Sequence, residues 1–231
     1  MSSRDAIACV LVLAMAANAC NSGDVGSVAD EGPEVLETIE LPAPNHDGPL
    51  ALEKTLWLRR SVRSFTEREL TLAEVGQLLW AGQGQNRESG ARTNPSAGGL
   101  YPLELYVVTP NGMLHYLPDD HRAEIITHED LRIRLAAAAL GQEAVEDAPA
   151  VFIVCGVFSR TEARYGGRAE RYVYLEAGHA AQSLLLQAVA LGMGGVPIGA
   201  FDDGAVADLL DLPADHDVVY LMPVGHPGDD G

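Results

Sequence analysis

A short basic segment, RRSVR at residues 59–63, could hold an anion in a chain that is otherwise acidic. The chain has 231 residues and a formal net charge of −18. The guanidinium groups of Arg59, Arg60 and Arg63 can bind phosphate oxygens in pairs, and Ser61 adds a hydroxyl donor. These residue types suit a phosphate monoester. The segment alone leaves an alternative open, in which the arginines form a solvated helix end and pair with nearby carboxylates.

Two glycine-containing loops could bring backbone N–H groups close to a flat ligand. The first is NPSAGGLYP at residues 94–102, and the second is GGVPIGAF at residues 194–201. Glycine allows a close approach because it has no Cβ, and successive backbone N–H groups can bind an anionic or polar edge. Together with the arginine segment, these loops favour a ligand that has both an anionic end and a flat end.

The sequence also excludes several chemistries. It has no phosphate-binding P-loop, no dinucleotide fingerprint after a strand, and no nucleophile elbow around Ser96. Glu176 and His179 form only half of a carboxylate-bridged metal motif, and no second half exists, so no metal site is predicted. With 33 acidic and 15 basic side chains, the chain would repel nucleic acid, which is therefore not an expected partner.

The hydrophobic pattern predicts an α+β domain around one sheet. Helices are predicted over residues 71–82, 129–140, 168–193 and 204–212. The first of these begins with a Thr71/Glu74 capping box. Strands are predicted over residues 103–109, 113–118, 149–157 and 218–225, and the first two form a hairpin.

The N-terminal region resembles an export signal followed by a linker. Residues 1–20 have an apolar run that ends at Cys20, as in a bacterial lipoprotein signal whose cysteine is lipidated. Residues 21–49 are acidic and contain several prolines, and they are predicted to be a flexible tether to a domain at residues 50–231. These features predict the cell envelope, on the periplasmic face, with a lipid anchor to the membrane through Cys20. A cytoplasmic protein with a chance apolar start is the alternative.

Five motifs together resemble the nitroreductase-like FMN flavoproteins, and in particular their SagB-type, or azoline dehydrogenase-like, branch. The motifs are RRSVRSF, LLWAGQG, RTNPSAGGLYPLELYVV, the long segment from RYGGRAERY to PIGAFDD, and LMPVGHP. The resemblance implies the nitroreductase-like FMN-binding fold, with a central, mostly antiparallel sheet flanked by helices. It also implies an intertwined homodimer with two FMN molecules at the subunit interface.

The same resemblance assigns candidate cofactor-binding residues to three segments and to one helix. The residues are Arg59, Arg60, Ser61 and Arg63 for the FMN phosphate and ring, Pro95, Ser96, Ala97 and Gly98 for the segment that reaches the flavin from the partner subunit, Gln182 for a polar amide near the flavin, and Ile198, Gly199 and Ala200 for the backbone strip beside the isoalloxazine ring.

Two departures from the family pattern affect the expected function. Arg164 and Tyr165 stand where azoline dehydrogenases have a Lys-Tyr pair implicated in deprotonation. Arginine is a poor base because it stays protonated, whereas Tyr165 can relay a proton. The segment PVGHPGDDG lacks the basic residue that completes the phosphate clamp in many members, so we expect weaker FMN binding or greater dependence on the arginines.

The expected function is that of an FMN-dependent oxidoreductase that moves a hydride through flavin N5, by a ping-pong mechanism, to or from a small organic substrate. One alternative is an NAD(P)H-dependent nitro or quinone reductase, with NAD(P)H as the electron donor. Another is a catalytically idle lipoprotein that binds flavin or another ligand.

Overall fold

A seven-stranded sheet organises residues 32–228, the part of the chain that the computed structural model describes. The strands are β1 (Glu37–Glu40), β2 (Leu103–Thr109), β3 (Gly112–Leu117), β4 (Arg122–Thr127), β5 (Ala150–Gly156), β6 (Gly194–Gly195) and β7 (Asp217–Gly225). Their order across the sheet is β1-β4-β3-β2-β5-β7-β6, and neighbouring strands pair antiparallel. The predicted antiparallel sheet is confirmed.

Seven α-helices within residues 32–228 flank this sheet. They are α1 (Leu52–Leu58), α2 (Leu72–Gln83), α3 (Arg132–Ala138), α4 (Glu143–Asp147), α5 (Phe158–Tyr165), α6 (Ala169–Ala190) and α7 (Asp203–Leu210). Successive side chains of a strand point to opposite faces, and β2 shows the result. Leu105 packs in a core with α2 and α6, whereas Tyr106 packs in a second core with α3, α4 and α7.

Helix α6 is the longest element, and the small side chains on its buried face explain its close packing on the sheet. Ala177, Ala180 and Ala188 are at most 1% exposed. Helix α2 packs beside α6 and begins with the predicted capping box. The Thr71 N–H donates to Glu74 Oε2 at 2.7 Å, and the Glu74 N–H donates to the Thr71 hydroxyl at 3.2 Å. These contacts satisfy two N–H groups that a helix start would otherwise leave unpaired.

The predicted hairpin and central strand also have the expected form. Strands β2 and β3 turn at Gly112, whose φ of +124° lies in a region that glycine favours. Strand β5 lies between β2 and β7, and all of its residues are buried. Its continuous apolar run is therefore explained by a position with helices on both faces of the sheet.

The structure corrects the predicted flexible tether over its second half. Strand β1 pairs with β4 at the edge of the sheet, and Leu41 is only 7% exposed. The Asn45 N–H then donates to Gln77 Oε1 at 2.7 Å, and Gln77 Nε2 donates to the Asn45 carbonyl oxygen at 3.0 Å. Backbone pairing and these two bonds order an acidic segment whose composition indicates disorder. The folded domain therefore begins before residue 50.

The predicted signal at residues 1–20, with Cys20, lies outside the described residues, as does the tether up to residue 31. Within residues 32–228, none of the helices combines the length and apolarity that a membrane crossing requires.

Candidate functional site

The arginine segment follows α1 and lies along the edge of the sheet. Val62 is buried, and its N–H donates to the Gly195 carbonyl oxygen at 3.1 Å. Ser61 forms a parallel bridge with Gly195. Because alternate residues of an extended segment point the same way, Ser61 and Arg63 project from the side opposite Val62, and both are exposed. A hydroxyl group and a guanidinium group thus share one exposed side of the segment.

Two glycines allow the arginine segment to approach the sheet this closely. A Cβ at Gly194 would lie 2.5 Å from Val62 Cγ2, so a larger residue there would displace the arginine segment. A Cβ at Gly195 would lie 2.6 Å from the Pro223 carbonyl oxygen of β7, so glycine there allows the close pairing of β6, which accepts the Val62 N–H, with β7.

Residues 226–228, which follow β7, hold the residues directly after the arginine segment through backbone hydrogen bonds. The Thr66 N–H donates to the His226 carbonyl oxygen at 2.9 Å, and the Gly228 N–H donates to the Ser64 carbonyl oxygen at 3.0 Å. The His226 side chain lies 3.7 Å from Glu74 Oε1. In the described chain, residues 226–228 therefore support the arginine segment by main-chain hydrogen bonds.

Asn94 anchors the loop at residues 94–98 to helices α2 and α6 by hydrogen bonds. This residue is 5% exposed, and its Nδ2 donates to the carbonyl oxygens of Ala81 and Gly82 at 3.0 and 2.7 Å. Its Oδ1 accepts from the Ser183 hydroxyl at 2.5 Å. The residues that follow form a 3₁₀ turn, Ala97–Gly99, in which Gly98 has a φ of +66°. The predicted contact residues Pro95, Ser96, Ala97 and Gly98 are thus presented by a loop with a fixed base.

The predicted catalytic pair lies beside this loop. Arg164 Nη1 donates to the Gly98 carbonyl oxygen at 3.4 Å. The Tyr165 hydroxyl oxygen lies directly over Gly98, 2.8 Å from where a Cβ would stand, and the φ of +66° at this position favours glycine. The Tyr165 ring meets the Tyr172 ring edge-on, with 5.0 Å between the ring centroids. The structure therefore places Arg164 and Tyr165 against the loop.

The strip at residues 198–200 is anchored at its first residue. The Ile198 N–H donates to the Leu221 carbonyl oxygen at 2.8 Å, and the Leu221 N–H donates back at 3.0 Å. Gly199 and Ala200 follow and are exposed. Gln182 is also exposed, on α6. The strip therefore offers an exposed backbone edge held in place by strand β7.

The 94–98 loop contacts α6 at two levels. Asn94 Oδ1 accepts from the Ser183 hydroxyl, and Ser96 and Ala97 lie beside Glu176, about two helical turns nearer the N-terminus of α6. A Cβ at Gly195, beside the arginine segment, would lie 3.2 Å from the Leu185 side chain, so the base of the loop and the arginine segment meet the same part of α6. The tip of the loop, with Ser96 and Ala97, lies further along the helix.

Glu176 is the residue of this region whose role the sequence did not reveal. Its side chain is 3% exposed and lines a cavity of about 230 Å³ together with Ser96, Ala97 and Tyr172. Burial raises the pKa of Glu176 to about 7, although hydrogen bonding from Ser96 and Ala97 and the charge of Arg92 act in the opposite direction. The feature of the sequence that could have revealed it is an acidic residue on the buried face of α6, whose other residues are apolar.

Arg92 is a second unpredicted residue near the loop. Its Nη1 donates to Gln83 Oε1 at 2.9 Å, and its guanidinium carbon lies 4.8 Å from the centre of the Tyr101 ring. Burial lowers the pKa of Arg92, but arginine stays protonated at neutral pH. Arg92 thus places a fixed positive charge beside the loop. No cluster of metal-ligating side chains occurs within residues 32–228.

Comparison with known proteins gives a consistent assignment. The model of the nitroreductase family matches residues 58–226. A protein of Methanocaldococcus jannaschii, provisionally named a nitroreductase, is 39% identical over 195 residues, which cover 82% of this chain and 97% of that protein. The structure of a provisionally named nitroreductase from Ralstonia eutropha has a TM-score of 0.76 at 29% identity, and the match covers 85% of this chain and 95% of that one.

A more distant protein has the same fold. The structure of an NADPH:FMN oxidoreductase from Vibrio harveyi, complexed with NAD⁺, has a TM-score of 0.59 at 24% identity, and the match covers 77% of this chain and 69% of that one. The family model spans the arginine segment, the 94–98 loop, the 198–200 strip and the sheet that connects them. The chain belongs to the nitroreductase family.

Proposed function

We propose that this protein is an FMN-dependent oxidoreductase that works as a homodimer. The observation that carries the proposal is the exposed arginine segment, which is held against Gly194 and Gly195 at the sheet edge that also carries the 198–200 strip. The residues of this edge fit FMN at two points, its phosphate and its ring.

The phosphate would lie against the arginine segment. Arg59 and Arg63 supply charged donors that bind phosphate oxygens in pairs, and Ser61 adds a hydroxyl on the side that Arg63 shares. The backbone on either side of this segment is bonded to Gly195 and to residues 226–228. Because this backbone is fixed before the ligand arrives, only the side chains must be ordered on binding.

The ring would lie along Gly199 and Ala200, whose exposed backbone follows the anchored Ile198. Bound FMN accepts a hydride from one substrate and gives it to another. The chain supplies the slot, the polar groups at the ring edge and the exclusion of water.

A second subunit would complete this site. In the nitroreductase-like flavoproteins that this chain resembles, the segment at residues 95–98 reaches the flavin from the partner subunit, and we expect the same of this loop. Helix α1 precedes the arginine segment and exposes Leu52, Leu56 and Trp57 by 60%, 52% and 83%. Such an exposed apolar patch is typical of a protein interface.

The substrate class follows from the residues beside the loop. Tyr165 lies over Gly98 with Arg164 next to it, so a tyrosine hydroxyl could relay a proton while the guanidinium group holds an anionic group. This arrangement favours dehydrogenation of a small organic substrate, as in the SagB-type branch. The nitroreductase name of the M. jannaschii relative favours the second candidate, an NAD(P)H-dependent nitro or quinone reductase.

Purification of the chain, with a visible spectrum and an FMN titration, tests the proposal. We expect a yellow protein with a flavin spectrum. A colourless protein that gains no flavin spectrum when FMN is added would overturn the proposal. Oxidation of NAD(P)H in the presence of a nitroaromatic compound identifies the reductase, whereas a dehydrogenase would leave NAD(P)H unchanged. A flavin that binds but is not reduced by any substrate indicates the catalytically idle alternative.

Lipid anchoring at Cys20 and a location at the periplasmic face of the cell envelope remain part of this proposal. Fractionation of cells that express the full chain, with mass spectrometry of the mature N-terminus, tests both. A soluble protein that retains residues 1–20 would contradict them.

A further inference from the structure

A buried carboxyl group on α6 lies directly beneath the loop that carries Ser96. Glu176 is 3% exposed, and its Oε1 has no hydrogen-bond partner within residues 32–228. Glutamate is almost never buried this fully unless its charge is paired. The other side chains that line its cavity belong to the loop and to α6 itself: Pro95, Ser96, Ala97, Tyr172, Leu175 and His179. From this location, Glu176 can act on the conformation of the loop.

Glu176 contacts the first residues of the turn. The Ser96 side chain and the Ala97 backbone N–H line the same cavity beside its carboxyl group, and both act to lower its pKa. The Ser96 hydroxyl oxygen in turn accepts from the Tyr101 N–H at 2.8 Å. One carboxyl group is thus linked, through Ser96, to both ends of the segment from residue 96 to residue 101.

The segment held in this way has an unusual backbone. Gly98 and Gly99 both have a φ of +66°, and Tyr101 has a φ of +47°, which is a strained conformation for a residue with a side chain. Such a conformation persists only when surrounding contacts impose it. Glu176 provides such contacts from the helix side, and Arg164 provides one at Gly98.

We propose that Glu176 is the positioning residue of this turn, so that the conformation of residues 96–101, and with it the retention of FMN, depends on whether the Glu176 carboxyl group carries a proton. The part that concerns FMN rests on the proposed function. The part that concerns the turn does not, and it can be measured without the cofactor.

The direction of the expected pH dependence follows from how the Glu176 carboxyl group accepts hydrogen bonds. A carboxylate accepts hydrogen bonds from Ser96 and Ala97 more strongly than a protonated carboxyl group does. Burial raises the pKa of Glu176 to about 7, so the carboxylate predominates above neutral pH and the acid below it. We therefore expect the turn to be held tightly at pH 8 and loosely at pH 6.

Other charged and titratable groups surround the same carboxyl group. Arg92 acts on it from the loop, and Tyr172 and His179 line the same cavity from α6 itself. Arg164 and Tyr165, at the end of α5, lie at Gly98 of the same turn. Their ionisation affects wild type and a Glu176 variant alike. At each pH, the informative quantity is therefore the ratio between variant and wild type, either of their amide exchange rates or of their FMN dissociation constants.

Hydrogen exchange in the absence of FMN tests the turn. In Glu176→Gln, the amides of residues 97–101 should exchange about tenfold faster than in wild type at pH 8, because a charge-assisted hydrogen bond is lost. At pH 6 the two proteins should differ by less than about twofold, since both then carry a neutral group. Glu170→Gln, an exposed change on the same helix, is the matched control and should match wild type at both values. A ratio that is the same at pH 6 and pH 8 would overturn the proposal.

FMN titrations test the consequence for the cofactor. The ratio of the FMN dissociation constants of Glu176→Gln and wild type should rise from near one at pH 6 to about tenfold at pH 8. Ser96→Ala, a change in the loop that leaves the core intact, should give the same result and should add nothing in the double variant. The proposal would be contradicted if the ratio of dissociation constants did not change with pH, or if the effects of Glu176→Gln and Ser96→Ala added fully in the double variant. If wild type binds no FMN at any pH, the proposed function fails, and the exchange experiment still decides the role of Glu176.

Discussion

Arg59 and Arg63 are the side chains on which the proposed phosphate contact depends. Arg59 lies at the end of α1, where its N–H donates to the Thr55 carbonyl oxygen at 2.9 Å, so its backbone position is set by the helix. Arg63 lies one residue after the buried Val62, which fixes the direction of its side chain. The backbone at both arginines is therefore fixed, so their side chains extend from set positions.

We predict that Arg59→Ala and Arg63→Ala each weaken FMN binding by at least about tenfold, because each removes a charge-assisted hydrogen bond to phosphate. Fluorescence titration with FMN measures the effect. Arg134→Ala on α3 removes an exposed arginine whose partner is Glu129, and it should bind FMN as wild type does. If either Arg59→Ala or Arg63→Ala retains wild-type affinity, that arginine does not contact the phosphate.

Three neighbouring strands are linked by a histidine between two carboxylates. On β3, His115 Nε2 lies 3.0 Å from Glu104 Oε2 on β2, and His115 Nδ1 lies 3.0 Å from Glu124 Oε2 on β4. Arg160 of α5 joins the cluster with its Nη1 at 2.6 Å from Glu104 Oε1. Both ring nitrogens of His115 face acceptors, so the protonated imidazolium satisfies both contacts.

The charge of His115 gives the sheet a pH-dependent contribution to stability. Burial acts to lower the pKa of His115, but the hydrogen bonds and charges of Glu104 and Glu124 outweigh burial and raise the pKa above its ordinary value. A raised pKa in the folded state means that the contribution is fully present below the unfolded pKa of about 6.5. It is lost as the pH rises through the folded value.

We predict that His115→Gln reduces the free energy of unfolding by on the order of 1 kcal/mol more at pH 6 than at pH 9. Urea denaturation of both proteins at each pH measures this difference. Burial lowers the pKa of His216 and His121, whose contributions therefore run the other way, so only the difference between variant and wild type is informative. His128→Gln, at an exposed position, is the control. An equal loss at both pH values would show that His115 is not charged in the cluster.

The proposed site of the whole molecule requires two chains. Helix α1 precedes the arginine segment and exposes a cluster of large apolar side chains, of which Trp57 is 83% exposed. The tip of the 94–98 loop, at Ser96 and Ala97, lies beside Glu176, whereas its base at Asn94 contacts Ser183 of α6. A dimer in which α1 is buried explains the exposed apolar cluster, and the tip of each loop would then serve the partner's site.

We predict that Trp57→Glu raises the dimer dissociation constant by at least about tenfold, because it places a charge in a buried apolar contact. Light scattering over a range of concentrations measures the mass, and FMN affinity should fall in parallel. Ile133→Glu on α3 changes a side chain that is 68% exposed elsewhere, and it should leave the mass unchanged. A wild-type monomer, or a Trp57→Glu dimer of unchanged affinity, would contradict this arrangement.

Much of the fold could be predicted from local patterns. The capping box and apolar spacing of α2, the turn between β2 and β3, the apolar run of β5 and the length of α6 are all visible in the sequence. Strands β1 and β4 were missed, since β1 lies in an acidic segment and β4 has only one fully buried residue, Ala123. Their strand character comes from backbone pairing with each other and with β3.

The sequence by itself determined the segments that belong to the family and the residue types that suit a phosphate and a flat ring, because these depend on composition and on short spacings. Only the tertiary structure decided that Gly98 lies under Tyr165 and that Glu176 lies beneath Ser96. It also decided that Asn94 of the loop contacts Ser183 of α6. The physical reason is that these relations join residues far apart in the chain. They arise from the packing of helices on a sheet, which produces no periodic pattern in the local sequence.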